Sequence, residues 1–173
     1  MVRYQRIFDK TPQASESYQY PLLQDCKIDE RNLGNVDCSN LSMYFCDFFM
    51  SRLKGWKFSN CEIIGGGINS CKVIETEFNN LSYYWTGFGD STFDGCSFKN
   101  IIFQGNGFSK IKFKNCTFEN VNFNCDNLGG TCYFEDTYFE NCSLKNTSIE
   151  IREDQDMGPI PEHSDLKKIE LSW

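Results

Sequence analysis

The sequence predicts an all-β repeat protein, and the spacing of its apolar residues leads to that class. Phenylalanine recurs at every fifth position through the middle of the chain, at Phe88, Phe93, Phe98, Phe103, Phe108, Phe113, Phe118 and Phe123. A five-residue period fits neither ordinary template, because a helix would rotate each step by about 140° and a strand would alternate faces. The same spacing holds for 22 consecutive apolar residues from Leu23 to Leu128. Such regularity indicates a repeat architecture of five-residue units, or pentads, each with an apolar centre.

Two other positions of the pentad are patterned as well. The residue two places before each centre is mostly small or aliphatic, as expected for a second inward-facing position with less room. The residue two places after each centre is often Asn, Gly or Asp, for example Asn80, Gly95 and Asn100. These residues tolerate positive φ, which a tight turn requires. Each pentad is therefore predicted to be a short extended piece with two inward side chains, followed by a corner.

The period is interrupted once. After Gly129 and Gly130 the spacing shifts by one residue and then continues at Phe134, Phe139, Leu144 and Ile149. In this interpretation Leu128 is the last centre of the first series, and the chain holds about 26 pentads.

Several runs of the chain resemble the pentapeptide-repeat family, whose motif is loosely A(D/N)LXX with Leu or Phe at the centre. The runs that carry the resemblance are CSFKN-IIFQG, IKFKN-CTFEN-VNFNC and YFENC-SLKNT, and the repeats extend over residues 21–150. Cys, Ile and Phe replace much of the family's Ala and Leu. The resemblance implies a right-handed quadrilateral β-helix with coils of about 20 residues, and hence about six coils in this chain.

The segments on either side of the repeats do not follow the period. Residues 1–20 are predicted to form an N-terminal cap, because an open solenoid end would expose apolar side chains and unpaired backbone. Residues 151–173 are predicted to form an acidic C-terminal tail with a short capping or dimerisation element. Within it, residues 161–173 fit a helix by the spacing of Leu166, Ile169 and Trp173. They also fit a strand by the alternation of Ile169, Leu171 and Trp173, so both remain open.

The negative charge of the chain is concentrated at its C-terminal end. The formal net charge is −7, and residues 126–173 alone hold 4 basic and 11 acidic groups. Because nucleic-acid binding needs a basic face, direct binding to nucleic acid is not expected. The N-terminus lacks the apolar run of a secretory signal, and no stretch has the length of a transmembrane helix. We therefore expect a cytoplasmic protein with no membrane partner.

The residues predict no enzyme, cofactor or metal site. The only histidine, His163, lies in the tail, so no Ser/His or Cys/His pair is available within the repeats for nucleophilic catalysis. The ten cysteines contain no CxxC pair, and eight of them occupy the small inward position. Buried free thiols are therefore expected rather than metal ligands. Cys125 falls at a corner and is the thiol that we would test for reactivity.

Stacking the chain at about 20 residues per coil brings together apolar residues at corners that are polar elsewhere. These residues, which we call the aromatic ridge, are Tyr44, Phe45, Phe49, Met50, Ile64, Tyr84 and Trp85. An exposed apolar patch of this kind is typical of a partner or dimer interface. The alternative is that the N-terminal cap or the tail covers it. A second column, Thr86, Asn106 and Asp126, is expected to point inward as a hydrogen-bonded polar group.

A set of acidic residues lies near the last coils, and it can be interpreted in two ways. Its members are Glu135, Asp136, Glu140, Glu150, Glu153, Asp154 and Asp156. They form either an ordinary solvated surface or an electrostatic copy of DNA. The family resemblance implies the second: a non-catalytic rod that binds and protects a type II topoisomerase, either DNA gyrase or topoisomerase IV, against antibiotics. A homodimer through the tail or the ridge would then be expected.

The alternative function is a scaffold, immunity or effector module unrelated to topoisomerases. Such a module would bind a protein partner through the aromatic ridge.

Overall fold

The computed structural model describes residues 2–3, 13, 17–152 and 164–169. Among these residues every regular element is a β-strand, and the strands stack in parallel as a β-solenoid. The predicted all-β β-helix is confirmed. Within the same residues, no helix has the length and apolar character needed to cross a membrane.

Most strands are three residues long, and they are separated by the corners of the pentads. In the first half of the chain they are β1 (Val2–Arg3), β2 (Leu22–Gln24), β3 (Lys27–Asp29), β4 (Asn32–Gly34), β5 (Val36–Ser39), β6 (Ser42–Tyr44), β7 (Asp47–Phe49), β8 (Arg52–Lys54), β9 (Lys57–Ile64), β10 (Gly67–Asn69), β11 (Lys72–Ile74) and β12 (Glu77–Tyr84). In the second half they are β13 (Gly87–Gly89), β14 (Thr92–Asp94), β15 (Ser97–Gln104), β16 (Gly107–Ser109), β17 (Lys112–Lys114), β18 (Thr117–Asn124), β19 (Tyr133–Glu135), β20 (Tyr138–Glu140), β21 (Ser143–Lys145), β22 (Ser148–Arg152) and β23 (Asp165–Ile169).

The register between strands repeats every 20 residues over most of the chain. Phe78 lies opposite both Phe58 and Phe98 in the neighbouring layers. Two sheets contain six strands each, in the orders β19-β16-β13-β10-β7-β3 and β20-β17-β14-β11-β8-β4, and a third contains eleven. Six stacked strands are separated by five intervals, so the solenoid has about five turns, slightly fewer than the six coils expected.

The pentad centres form the core in four columns that run along the solenoid. Rings within a column stack nearly parallel, with centroids 5.2 Å apart between Phe58 and Phe78 and 4.8 Å apart between Phe78 and Phe98. Rings of adjacent columns meet edge to face, as Phe98 and Phe113 do at 5.7 Å and 86°. Both arrangements are favourable for aromatic pairs. Each layer therefore buries the phenylalanines of the next.

The small inward position holds many thiols and hydroxyls because they bond to the backbone of the preceding layer. The Cys61 thiol donates to the carbonyl of Cys38 at 2.9 Å, and the Ser91 hydroxyl donates to the carbonyl of Ile68 at 3.2 Å. In each pair the acceptor lies 23 residues earlier. None of the ten cysteines forms a disulfide; eight are buried, whereas Cys125 and Cys142 are half-buried.

The corners adopt positive φ, as the sequence pattern predicts, with φ of 54° at Asn80 and 64° at Gly95. One column of corners consists entirely of asparagine: Asn40, Asn60, Asn80, Asn100, Asn120 and Asn146. Apart from Asn40, the first of the column, each donates from its Nδ2 to the Oδ1 of the preceding asparagine at 2.9–3.2 Å. Asparagine at these corners therefore serves both the turn and the contact between layers.

Residues 125–130 leave the coil, and this corrects the predicted register. Phe134 lies opposite Phe108 and Ile149 opposite Phe123, an offset of 26 residues. The insertion is thus six residues rather than one, and Leu128 is not a core centre but is 76% exposed. The physical reason is local, because the Asp126 carboxylate accepts the backbone N–H groups of Leu128 and Gly130 and closes a tight loop.

The same loop makes the predicted inward position of Asp126 wrong. Thr86 and Asn106 are buried, and the Asn106 amide donates to the Thr86 carbonyl at 3.2 Å. Asp126 is half-buried at the surface, and Cys132 takes the inward place next to Asn106. The inward polar column therefore ends at Asn106.

Strands flank the solenoid at both termini. β1 pairs with β5, and β23 pairs in parallel with β22. The described part of segment 161–173 is therefore a strand over residues 165–169, while Leu171 and Trp173 lie outside the described residues. Most of the predicted N-terminal cap, residues 4–12 and 14–16, also lies outside them.

Candidate functional site

The aromatic ridge is assembled by strands β6, β9 and β12, which lie side by side. Their register places Tyr44, Ile64 and Tyr84 in one outward column. The corners that follow bring Phe45 and Trp85 next to this column. Phe45 is 50% and Trp85 51% exposed, whereas the three residues of the column are half-buried.

Large apolar residues occupy corners of the ridge where most other corners are polar or glycine. The φ angles of Phe45, Met50 and Trp85 are 50°, 47° and 50°. Positive φ is unfavourable for bulky side chains, and Met50, like the other two, is about half exposed, at 53%. These three side chains therefore combine an unfavourable backbone conformation with incomplete burial.

Glycines give the ridge side chains room to lie along the solenoid. A Cβ atom at Gly65 would lie 2.5 Å from Cδ1 of Phe45, and one at Gly105 would lie 2.9 Å from Cδ1 of Trp85. Each ring thus covers the corner of the next layer. A side chain at either glycine would displace the ring above it.

The loop of residues 125–130 holds one end of the ridge. Asp126 accepts a hydrogen bond from the Trp85 indole Nε1, and the Tyr84 hydroxyl donates to Oδ1 of Asn127 at 2.6 Å. The Tyr84 and Trp85 rings stack with centroids 5.1 Å apart. Partial burial opposes ionisation of Asp126, but the hydrogen bonds from Trp85 and the loop backbone outweigh it and lower the pKa of this carboxyl.

The other end of the ridge meets the N-terminal segment. The Tyr18 and Tyr44 rings lie 6.4 Å apart, and Tyr44 contacts Phe45 edge to face at 4.5 Å. Despite these contacts, Phe45, Phe49 and Met50 remain exposed. The described residues therefore frame the ridge without covering it.

Several exposed apolar residues were not identified from the sequence. Ile102, 41% exposed, projects from β15 beside the ridge, where Ser82 is its partner in β12. Leu128 projects from the loop, and it was missed because it fits the five-residue spacing. Tyr133 and Tyr138 are about half exposed on the last layer of the two smaller sheets. Ile102 and the two tyrosines each directly precede a pentad centre in a strand. Since neighbouring side chains in a strand point to opposite faces, this position could have predicted that they face solvent.

The acidic candidates that the structure describes lie on different faces of the solenoid. Glu135 accepts a hydrogen bond from the Ser109 hydroxyl at 2.7 Å, and Asp136 occupies the next corner, with φ of 46°. Glu150 accepts the backbone N–H of Cys125 at 3.2 Å. The remaining candidates Glu153, Asp154 and Asp156 lie outside the described residues.

Glu140 is the acidic candidate that lies among cations. Its carboxylate is 3.0 Å from the Lys112 amine and 3.7 Å from the Lys114 amine, and this pairing lowers the pKa of Glu140. Glu140 belongs to the sheet that contains β4, β8, β11, β14, β17 and β20. The outward positions of that sheet carry five cations, Arg52, Lys54, Lys72, Lys112 and Lys114, against two anions, Asp94 and Glu140. We call it the basic face.

The opposite charge balance is found on the sheet that contains β3, β7, β10, β13, β16 and β19. Its outward positions carry Lys27 against Asp29, Asp47 and Glu135. The surface charge is thus separated by face as well as along the chain.

Within the part of the chain that the structure describes, no group of three or more His, Cys, Asp or Glu side chains could hold a metal ion. His163 lies outside that part.

Comparison with known proteins rests on the fold, since no family model and no curated protein matches the chain. The five-residue unit and the 20-residue register between layers also occur in solved structures that match the chain. The chain is similar in fold to pentapeptide-repeat proteins. One such structure is the pentapeptide repeat protein Rfr23 from the cyanobacterium Cyanothece 51142. It is 14% identical, with 67% of this chain and 62% of that chain covered and a TM-score of 0.29.

Two further pentapeptide-type structures match. QnrB1, a plasmid-mediated fluoroquinolone resistance protein, is 10% identical, with 84% of this chain and 92% of that chain covered and a TM-score of 0.25. HetL, a pentapeptide repeat protein involved in heterocyst differentiation regulation in Nostoc sp. Strain PCC 7120, is 8% identical. The match covers 73% of this chain and 86% of HetL, with a TM-score of 0.18. At these identities and TM-scores the likeness extends to the fold alone.

Proposed function

We propose that the chain is a non-catalytic protein-binding rod and that the aromatic ridge is its partner-binding surface. The observation that carries the proposal is the placement of Phe45, Met50 and Trp85 at corners with φ of 47–50° and about half of each side chain exposed. Asn or Gly at these corners would avoid the backbone cost, which is about 1 kcal/mol per residue. Contact with a partner would bury the apolar surface and offset this cost.

The ridge can be tested by substitutions that keep the corner geometry. Asparagine occupies many other corners, so Phe45→Asn with Met50→Asn removes apolar surface while it favours the same φ. We expect the double variant to lose partner capture from the native host and to melt at or above the wild-type temperature. Tyr138→Asn, an exposed aromatic outside the ridge, is the matched control and should capture the partner normally.

Two outcomes would oppose the proposal. Unchanged capture by the double variant would show that the partner binds elsewhere. A large fall in melting temperature would mean that the ridge is covered within the chain. Sedimentation of the wild type and of the double variant also tests whether the partner is a second copy of this chain. A homodimer formed through the ridge would dissociate in the double variant.

A type II topoisomerase, DNA gyrase or topoisomerase IV, is a second candidate partner in the cytoplasm. The observation that favours it is the acidic face formed by β3, β7, β10, β13, β16 and β19, which could meet a basic protein surface. The basic face on the neighbouring sheet opposes mimicry of DNA around the whole rod. Gyrase supercoiling titrated with this protein, with and without a quinolone, is the test, and neither inhibition nor protection would remove this candidate.

A further inference from the structure

A second surface feature lies near the N-terminal end of the solenoid, next to the aromatic ridge, with Met50 at the border of the two. It is a pocket of about 360 Å³ at the edge between the two six-stranded sheets, and Arg31, Arg52 and Lys72 all line it. Its volume is within the range of small-molecule sites, about 300–1,000 Å³. Glu30 is the one carboxylate among its lining residues, so cations outnumber anions three to one.

The cations of the pocket differ from most others in having no ion pair with any described residue. Of the eleven Lys and Arg side chains that the structure describes, six are paired with a carboxylate within 4 Å. The five without such a partner among the described residues are Arg31, Arg52, Lys57, Lys72 and Lys110. Three of these five, Arg31, Arg52 and Lys72, line this same pocket.

The solenoid itself brings these charges together. Arg52 and Lys72 are register partners on β8 and β11, so their backbones are only about 4.8 Å apart. Like charges side by side on neighbouring strands are unfavourable. An anion between them would convert this repulsion into attraction on both sides.

Arg31 reaches the pocket because it lies in the first layer. It occupies a small inward position, as Ser51 and Cys71 do in the next two layers, but its side chain is exposed while theirs are buried. Its backbone N–H donates to the Ser51 hydroxyl at 3.1 Å. The backbone therefore keeps the repeat geometry while the guanidinium projects toward solvent beside Arg52.

We propose that this pocket binds the phosphate group of a small phosphorylated molecule. Two guanidinium groups and an ammonium offer the planar and point-charge donors with which proteins hold phosphate. The Ser70 hydroxyl and the Asn32 amide also line the pocket, and they supply neutral donors for the same oxygens. A dianionic phosphate matches three cations with one nearby carboxylate better than a single carboxylate group would.

Amide chemical-shift titration of the full chain tests the proposal. The probes are inorganic phosphate and glycerol 3-phosphate, with acetate as the carboxylate comparison at constant ionic strength. Saturable shifts clustered at Asn32, Arg52 and Lys72 with either phosphate probe are expected, with at least tenfold weaker binding of acetate. Tighter binding of the ester than of inorganic phosphate would identify the attached group as part of the ligand.

Matched variants complete the test. Arg52→Gln and Arg31→Gln remove exposed charges and should each weaken phosphate binding at least tenfold, with an unchanged circular dichroism spectrum. Lys57→Gln removes a cation that has no ion pair among the described residues and does not line the pocket, and it should leave the affinity unchanged. The proposal is overturned if shifts are absent, if acetate binds as tightly as phosphate, or if Lys57→Gln weakens binding as much as Arg52→Gln.

Discussion

The indole Nε1 of Trp85 donates a hydrogen bond to the carboxylate of Asp126, 41 residues later in the chain. One partner is a corner of the solenoid and the other belongs to the six residues that leave the coil. The same carboxylate accepts the backbone N–H groups of Leu128 and Gly130 at 2.8 and 2.7 Å. Asp126 therefore shapes the loop and fastens it to the aromatic ridge.

Asp126→Ala is expected to release the loop from Trp85 without unfolding the solenoid. It removes the acceptor of three hydrogen bonds, each of which contributes about 1 kcal/mol, but these bonds hold a surface segment rather than the core. We expect faster proteolysis within residues 125–131 and a red shift of Trp85 emission. In the wild type the folded-state pKa of Asp126 is lowered. The contribution of this contact to stability is therefore complete above about pH 3.9, the ordinary value of an aspartate, and is lost as the pH falls from there through the lowered folded-state pKa.

Lys110→Ala is a suitable control for Asp126→Ala, because Lys110 is an exposed corner residue without an ion pair among the described residues. Equal proteolysis of the loop in both variants would contradict the role assigned to Asp126.

Deletion of residues 125–130 is expected to yield a folded solenoid. It restores a 20-residue offset between Phe108 and Phe134, which already lie opposite each other. The core contacts of both rings are kept, so the urea midpoint should remain close to that of the wild type. Circular dichroism and urea unfolding provide the measurement.

Deletions of other lengths supply the controls. Removing five residues, 126–130, leaves the register one residue out, and a one-residue slip turns inward side chains outward; the C-terminal layers should then unfold. Removing Gly130 alone should only alter the loop. A clear gain in stability from that single deletion would favour Leu128 as a core centre and contradict the six-residue insertion.

Asn80→Ala is expected to destabilise the protein by about 2 kcal/mol through two separable effects. Alanine at φ of 54° is strained by about 1 kcal/mol, and the variant also loses hydrogen bonds to Asn60 and Asn100. Asn80→Gly relieves only the backbone strain and should be intermediate in urea unfolding. If the glycine variant matched the wild type, the asparagine column would contribute nothing beyond its φ preference.

Stability is expected to fall in alkaline solution because of the buried thiols. Burial raises the pKa of Cys61 to about 11 and that of Cys132 to about 12, whereas an unfolded thiol ionises near 8.5. A raised pKa in the folded state means that the stabilising contribution is complete below about pH 8.5. It declines as the pH rises from there toward the folded-state values, by at most about 1.4 kcal/mol per pH unit for each thiol.

Urea midpoints between pH 8 and 10.5 measure this decline. Cys61→Ser should flatten the pH dependence, because the serine hydroxyl can make the same bond to the Cys38 carbonyl without ionising. Ser91→Ala, which removes a buried hydroxyl that does not ionise in this range, is the comparison and should leave the slope unchanged. An identical slope in both variants would exclude Cys61 as a source.

The core of this protein could be predicted from its sequence because the repeat is local and uniform. Every pentad centre from Leu23 to Phe123 is inward, and the corners at Asn80 and Gly95 have the positive φ that their residue types indicate. These two features depend only on short-range spacing and on the side chain's own preferences. The column that holds Tyr44, Ile64 and Tyr84 required in addition the 20-residue coil that the resemblance to pentapeptide-repeat proteins implied.

The tertiary structure alone decided where that spacing fails. Leu128 satisfies the five-residue pattern, yet the Asp126 carboxylate closes a loop that excludes it from the coil. The contact of Asp126 with Trp85, the row of asparagine side chains and the gathering of Arg31, Arg52 and Lys72 join residues at least 20 positions apart. Such contacts depend on the register between layers. The sequence determines that register for the apolar centres, because they must be buried. It does not determine it for polar side chains at the surface, because water can satisfy their hydrogen bonds in any register.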